Sequence, residues 1–513
     1  MTTILDRKNT IASHTYNRRL IPPAALAVHL CIGQVYATSV YKLQLVERFQ
    51  ASDTAIGIIF SLAILMLGLS AMALGTWVER VGPRKTMFTS ACFWSAGFLI
   101  GALGIATGQL WLVYLGYGVI GGIGLGIGYI SPVSTLMKWF PDRPGLATGL
   151  AIMGFGGGAL IATPLSRHLL SAYGYVASEV PTAANTRALT LLFVTFGIGY
   201  FVVMMLGVIL IRLPAPDWTP PGWDPSKAKA KPLISTGNVS AASAIRTPQF
   251  YLLWVVLFCN VTAGIGILEN AAPMIQDFFR DEPGGASAVA VAAAGGFVGV
   301  LSLFNMAGRF AWSSVSDFIG RKPTYVIFLG AGIVLYLLLA FTGNTSEAVF
   351  VLCACVIVSF YGGGFATVPA YLRDLFGFYQ VGAIHGRLLT AWSAAGVVGP
   401  LIVNGFLDRA GTPGTLTASA YRPALITMVV LLAVGLVANL LIKPVAAKYQ
   451  EDPEVVKAKR EADLQAGREA DAALSAGRGG RTSALAMLAW AVVAVGLIYG
   501  LWETVSAAIK LFS

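Results

Sequence analysis

Apolar runs of 18 or more residues recur along this chain of 513 residues, and each can cross a hydrocarbon core of about 30 Å as a helix. Backbone inside a bilayer must satisfy its own hydrogen bonds, so runs of this kind leave helices as the available fold. They fall at 21–43, 55–78, 87–107, 110–133, 145–170 and 188–212, then at 249–276, 287–313, 324–342, 348–370, 387–406 and 422–443. Between the two sets, 213–248 carries LPAPDWTPPGWDP and KAKAK, whose prolines and charges exclude a span and mark a linker. The chain reads as an all-α polytopic membrane protein with a polar tail at 1–20 and six-helix halves at 21–212 and 249–444. The first apolar run exceeds the 7–15 residues of a cleavable signal core and is expected to be retained as the first helix.

Composition agrees, with 56% hydrophobic and 12% charged residues against roughly 25% charge in an ordinary soluble domain. The net charge of +11 would suggest nucleic acid in a soluble protein, but its placement argues otherwise. Of the 35 Lys and Arg residues, 26 fall in the N-terminal tail and the segments after the even-numbered spans, 8 fall on the opposite side, and Arg309 lies inside a span. That bias predicts a cytoplasmic N-terminus, and no nucleic-acid partner is called for. The five cysteines sit in apolar runs without ligand-like spacing and read as small buried side chains. No cofactor or metal is implied.

Past the second set, 445–483 is charged, and Asp452-Pro453-Glu454 is a fair helix start. Residues 484–502 then carry no charge, which predicts a thirteenth, C-terminal transmembrane helix within 484–513, with a membrane-surface helix as the alternative.

The halves repeat. Glu79 and Gly82 match Asp317 and Gly320 at an offset of 238; Pro132, Gly145 and Gly149 match Pro369, Gly382 and Gly386 at 237; Pro164 matches Pro400 at 236. Duplicated halves of a transporter pack about an axis along the membrane normal, with the substrate near mid-depth between them.

The loop Gly75-x-x-x-Glu79-Arg80-x-Gly82-Pro83-Arg84-Lys85 and its partner Asp317-x-x-Gly320-Arg321-Lys322 combine a glycine for tight reversal, an acid near a helix end and cations that hold the loop inside. They resemble the signature loop of the major facilitator superfamily, which implies that fold and a gate braced by Glu79, Arg80, Arg84, Asp317 and Arg321. Narrower motifs are Gly128-Tyr-Ile-Ser-Pro132, Lys138-Trp-Phe-Pro-Asp-Arg143, Gly154-Phe-Gly-Gly-Gly158, Gly266-Ile-Leu-Glu-Asn270, Tyr361-Gly-Gly-Gly-Phe365 and Gly386-Arg-Leu-Leu-Thr-Ala-Trp392. Together they resemble the oxalate/formate antiporter family, relatives of the monocarboxylate transporters, from about residue 20 to 443. The resemblance implies an exchanger of small organic anions in a bacterial inner membrane, with a counter-transported anion or proton and lipid as its other partners. The glycines also read as close-packing positions between helices.

Arg309 is the cation in the eighth span. At about 1.5 Å per residue it lies roughly 12 Å from Asp317, close to mid-depth if Asp317 marks the boundary and within snorkelling reach if Ser313 does. An uncompensated cation there costs at least about 3 kcal/mol, whereas a carboxylate would meet the guanidinium in a two-pronged fit. The resemblance places a substrate-binding arginine at this position; a structural ion pair with Glu269 is the other reading. Two departures bear on the substrate. The oxalate exchangers carry a lysine in helix 11, whereas 388–406 has neither Lys nor Arg; the monocarboxylate carriers have an aspartate one turn before the arginine, where this chain has Asn305. The first moves the expectation from oxalate toward a singly charged acid, and the second leaves Glu269 and His29 as places for a proton. Gln34, Tyr36, Tyr129, Tyr361 and Trp392 lie in glycine-flanked spans and are candidates to line the cavity, or to pack.

Neither a paired Asp-rich motif nor His-Glu-x-x-His occurs, so an intramembrane enzyme is disfavoured. A carrier of sugar or drug and a transporter-like sensor are the alternatives.

Overall fold

The computed structural model describes the chain except residues 1–3, 13–15, 177–179, 216–217, 224–236, 284, 286, 288, 290, 379, 412–414, 459–460, 462–464, 466–480 and 510–513. The KAKAK stretch and most of the charged segment 445–483 therefore lie outside the described residues. Asp452 does start a helical turn, its carboxylate accepting from the Glu454 N–H at 2.9 Å.

We number the long helices in chain order. The first half holds α1 (Pro22–Ile32), α2 (Asp53–Val81), α3 (Pro83–Thr107), α4 (Leu110–Trp139), α5 (Pro144–Ala172) and α6 (Ala183–Leu210). The second holds α7 (Pro248–Phe278), α8 (Val291–Ile319), α9 (Arg321–Thr342), α10 (Glu347–Phe376), α11 (Val381–Ala410) and α12 (Ala418–Leu441). The last is α13 (Arg481–Ile509). Twelve helices among the described residues are long and apolar enough to cross a membrane, including Met487–Ser506 of α13; α8, of 29 residues, joins them by length. The thirteenth helix expected from the sequence is thus present, apolar over a full crossing length.

Two details differ from the apolar runs. The helix at α1 tightens after Ile32 and continues as 3-10 turns over Gly33–Tyr41, and α4 includes π-helical turns at Tyr114–Gly121. Hydrophobic periodicity marks a crossing but does not distinguish hydrogen-bond registers within it. The helices also outrun the apolar runs, because a helix ends where its backbone caps, not where its hydrophobicity stops. Asp317 therefore sits in the last turn of α8 and Glu79 in the last turn of α2.

Both signature loops reduce to one glycine. Gly82 ends α2 at φ 86° and Gly320 separates α8 from α9 at φ 93°, the left-handed region that a side chain disfavours. The halves meet along α5 against α8 and α2 against α11, and α13 packs on α8 as well as on α1 and α5. The four cysteines Cys31, Cys259, Cys353 and Cys355 are buried and unbonded, as small core residues.

Candidate functional site

Arg309 projects from α8 at the crossing with α5 and is fully buried, with 0% exposure, so it does not snorkel. Close packing on both sides makes the space: a Cβ on Gly156 would fall 2.9 Å from Arg309 Nε, and one on Gly362 would fall 2.3 Å from the Asn305 carbonyl oxygen and 3.1 Å from Arg309 Cγ. The glycine runs of α5 and α10 are therefore close-packing positions that also shape the site. Asn305, one turn earlier on α8, accepts from Arg309 Nε at 3.0 Å, and the Ile152 carbonyl lies 3.5 Å from Nη1. Phe365 and Phe155 hold the guanidinium carbon at 5.3 and 5.8 Å from their ring centroids. The Tyr36 side chain also interacts with Arg309, and Nη2 is buried with no hydrogen-bond partner among the described residues.

Other buried polar atoms around the same rings share that condition. The Tyr129 hydroxyl, the Trp392 Nε1 and both ring nitrogens of His385 have no partner among the described residues. Trp392 lies 4.5 Å from Phe365 and 5.5 Å from Phe155, Tyr129 lies 5.3 Å from Phe155 and 5.5 Å from Trp392, and His385 lies 5.9 Å from Tyr129, all between ring centroids. Buried polar groups are ordinarily bonded, because an unmet one costs about 1–3 kcal/mol. Unpaired donors gathered from both halves around one arginine form an arrangement that an anion with several acceptor oxygens would satisfy.

Tyr36 and Tyr361 join the halves directly, hydroxyl to hydroxyl at 3.1 Å. Gln34 is placed elsewhere: its amide donates to the Tyr41 hydroxyl at 2.7 Å and accepts from Tyr117 at 3.0 Å, inside the first half. Glu269 is exposed, beside Lys42 and Asn404, and makes no pair with Arg309. His29 is buried between the carbonyls of Ala151 and Tyr129. His385 is the residue that sequence reasoning missed. It lies outside the apolar run at 387–406, and only the extension of α11 back to Val381 carries it inward.

At the signature-loop end, Asp317 reaches across the interface to the first turn of α5, accepting from the N–H groups of Gly145 at 2.9 Å and Leu146 at 3.0 Å. Arg321 pairs with Asp317 at 2.6 Å and with Asp374 at 3.2 Å. Glu79 accepts from Lys138 at 2.9 Å and Ser134 at 3.0 Å in its own half. Its Oε1 also abuts the start of α11, where a Cβ on Gly382 would fall 2.3 Å away. Arg84 turns from the interface to backbone carbonyls of its own half, and Arg80 is exposed.

Known proteins agree with this architecture. The chain is 24% identical over 376 residues to the oxalate:formate antiporter of Oxalobacter formigenes, covering 73% of this chain and 81% of that one. It is 26% identical over 421 residues to apicoplast pyruvate carrier 1 of Toxoplasma gondii, 74% of each. The outward-conformation structure of the transporter FucP superposes with a TM-score of 0.61 at 15% identity, covering 82% of this chain and 99% of that one; at that identity the likeness concerns the fold. Residues 24–400 match the family described as the Major Facilitator Superfamily, and the chain, an integral membrane protein, belongs to it.

Proposed function

We propose that the protein is a secondary active transporter of small organic carboxylates, an anion exchanger or a monocarboxylate carrier, working by alternating access of its two halves. The observation that carries this reading is Arg309: a buried cation with a free Nη2 and no acid paired to it, faced by unpaired donors of both halves. A substrate carboxylate accepts from Arg309, while Tyr129, Trp392, Tyr36 and Tyr361 bound and orient it, and Asn305 holds the guanidinium at Nε. The closed signature-loop end, with Asp317 on the first turn of α5, is one limit of the rocking motion. The relatives named for oxalate, formate and pyruvate support the substrate class. The distribution of Lys and Arg supports signature loops and an N-terminus on the cytoplasmic side, and the proposed setting is a bacterial inner membrane.

Counterflow in proteoliposomes, challenged with unlabelled formate, lactate, oxalate and neutral sugars, tests the proposal. Competition by carboxylates, lost in Arg309→Ala, is expected. Saturable sugar uptake that no carboxylate competes with would overturn it, as would binding without flux, which marks a sensor.

A further inference from the structure

The imidazole of His29 has a backbone carbonyl at each nitrogen, the Ala151 oxygen 2.5 Å from Nδ1 and the Tyr129 oxygen 3.1 Å from Nε2. A neutral imidazole has one N–H, so it satisfies one carbonyl and turns a lone pair on the other; the imidazolium donates to both. The frame therefore suits the charged ring. The clamp belongs to α5 and α4, which lie in the same half as α1.

The anion site is next door. Along α5 the carbonyl of Ala151 faces His29 and that of the following residue, Ile152, faces Arg309 Nη1. Phe155 stands against both, its ring 6.4 Å from the His29 ring and 5.8 Å from the guanidinium carbon. The titratable neighbours of His29 are Arg309 on α8, Tyr129 on α4, stacked at 5.4 Å, and His385 on α11. The remaining helices packed on α1 face it with Ala151, Gly154 and Phe155 of α5, Gly207 of α6, Met87 and Trp94 of α3, and Val493 and Leu497 of α13, none of them titratable. There is no carboxylate in this set.

Two neighbouring buried cations without an acid repel each other, and a carboxylate arriving at Arg309 removes that repulsion. We infer that His29 takes up one proton from solvent when the carboxylate binds and releases it when the anion leaves, so that the first half carries the coupling proton and the second half the anion contact. This rests on the carboxylate reading above. The proton bonds to the ring nitrogen that lacks one, both N–H groups then donate to Ala151 and Tyr129, and no other bond changes. By linkage the anion raises the proton affinity of His29 by the same factor by which the proton raises that of the anion.

The experiment uses full-length protein in detergent and in proteoliposomes. Adding formate, lactate or oxalate to unbuffered wild type is expected to take up about one proton per bound anion, with affinity falling about tenfold per pH unit above the transition. In His29→Gln the proton uptake is lost, and the weaker anion binding no longer varies with pH. A variant that still takes up the proton overturns the inference. Nitrogen NMR of the histidine-labelled wild type, which has four histidines to resolve, needs no variant to fold. An imidazolium assigned to His29 only with anion present supports the inference, and a neutral His29 in the anion-saturated protein overturns it. Anions that bind without proton uptake in wild type remove the His29 step and leave the carboxylate reading standing; no binding by any carboxylate removes the reading itself.

Discussion

In the first half Arg84 donates to the carbonyls of Val208, Ile209 and Ile211 at the end of α6; in the second half Lys322, 238 residues on, donates to those of Leu440 and Ile442 at the end of α12. The acids correspond too. Asp317 caps the start of α5, and Glu79 abuts the start of α11. So do the helix crossings: a Cβ on Gly149 would meet the Arg309 carbonyl oxygen at 3.1 Å, and one on Gly386 would meet that of Ala71 at 2.3 Å. The halves share the machinery of the loop end and part company at the side chains of positions 71 and 309. Duplication supplies matched contacts at the loop end of both halves; under the proposed function, the anion site comes from breaking the symmetry at one residue.

The sharpest test of that asymmetry is to move it. Arg309→Ala is expected to lower carboxylate counterflow by at least about 30-fold, in line with about 2–5 kcal/mol for truncating one member of a buried charged contact. Adding Ala71→Arg should not restore it, because Ala71 is fully buried, with its carbonyl packed against Gly386, and an arginine there would have to force its way into filled space. Recovery of transport in the double variant would show that either half can hold the anion and would break the comparison.

Gly145 and Gly382 probe the shared part. Each lets an α-helix start touch the opposite signature acid, so Gly145→Ala and Gly382→Ala should each cost about 1–3 kcal/mol of the closed state through overpacking. Labelling of single cysteines from the two membrane sides reports that equilibrium, and similar shifts are expected from both. An effect confined to Gly145 would make the gate one-sided.

The charges should act less evenly. Asp317→Asn weakens a cap on two N–H groups and the pair with Arg321, worth about 1–2 kcal/mol, whereas Glu79→Gln mainly loosens its partnership with Lys138 inside one half. The same labelling assay should show roughly a five- to thirty-fold opening for the first and a smaller one for the second.

Much of this architecture was legible from the chain. Apolar length marked the crossings, fixed offsets marked the duplication, and Arg309 stood out because a charge in an apolar run needs a reason. Physical meaning for the matched glycines came only from packing: Gly145 and Gly382 are spaced by the repeat, but what touches them belongs to the other half. The pairing of Tyr36 with Tyr361 spans 325 residues, and no local pattern announces it. Gln34 looked like a cavity residue because of its position among glycines, yet Tyr41 and Tyr117 consume its amide. His385 was hidden because hydrophobicity placed the start of α11 too late.

Arg84 and Lys322 carry the smallest expected effect and distinguish a brace from a gate. Both satisfy the orphan carbonyls at the end of the last helix of their half, but Arg84 also reaches the carbonyls of Ile4 at 2.8 Å and Asn9 at 3.3 Å, tying down the N-terminal segment. It is 3% exposed, so its removal strands more buried acceptors than removal of Lys322 does. Charged hydrogen bonds contribute about 1.5–3 kcal/mol each without adding fully. Arg84→Ala should therefore lower the thermal midpoint by about 2–5 °C and Lys322→Ala by about 1 °C, with KM for the carboxylate unchanged in both. Equal shifts would mean that the number of carbonyls held does not set the strength of the brace. A change in KM would instead connect these helix ends to the anion site, and the division between a symmetric frame and an asymmetric centre would have to be redrawn through them.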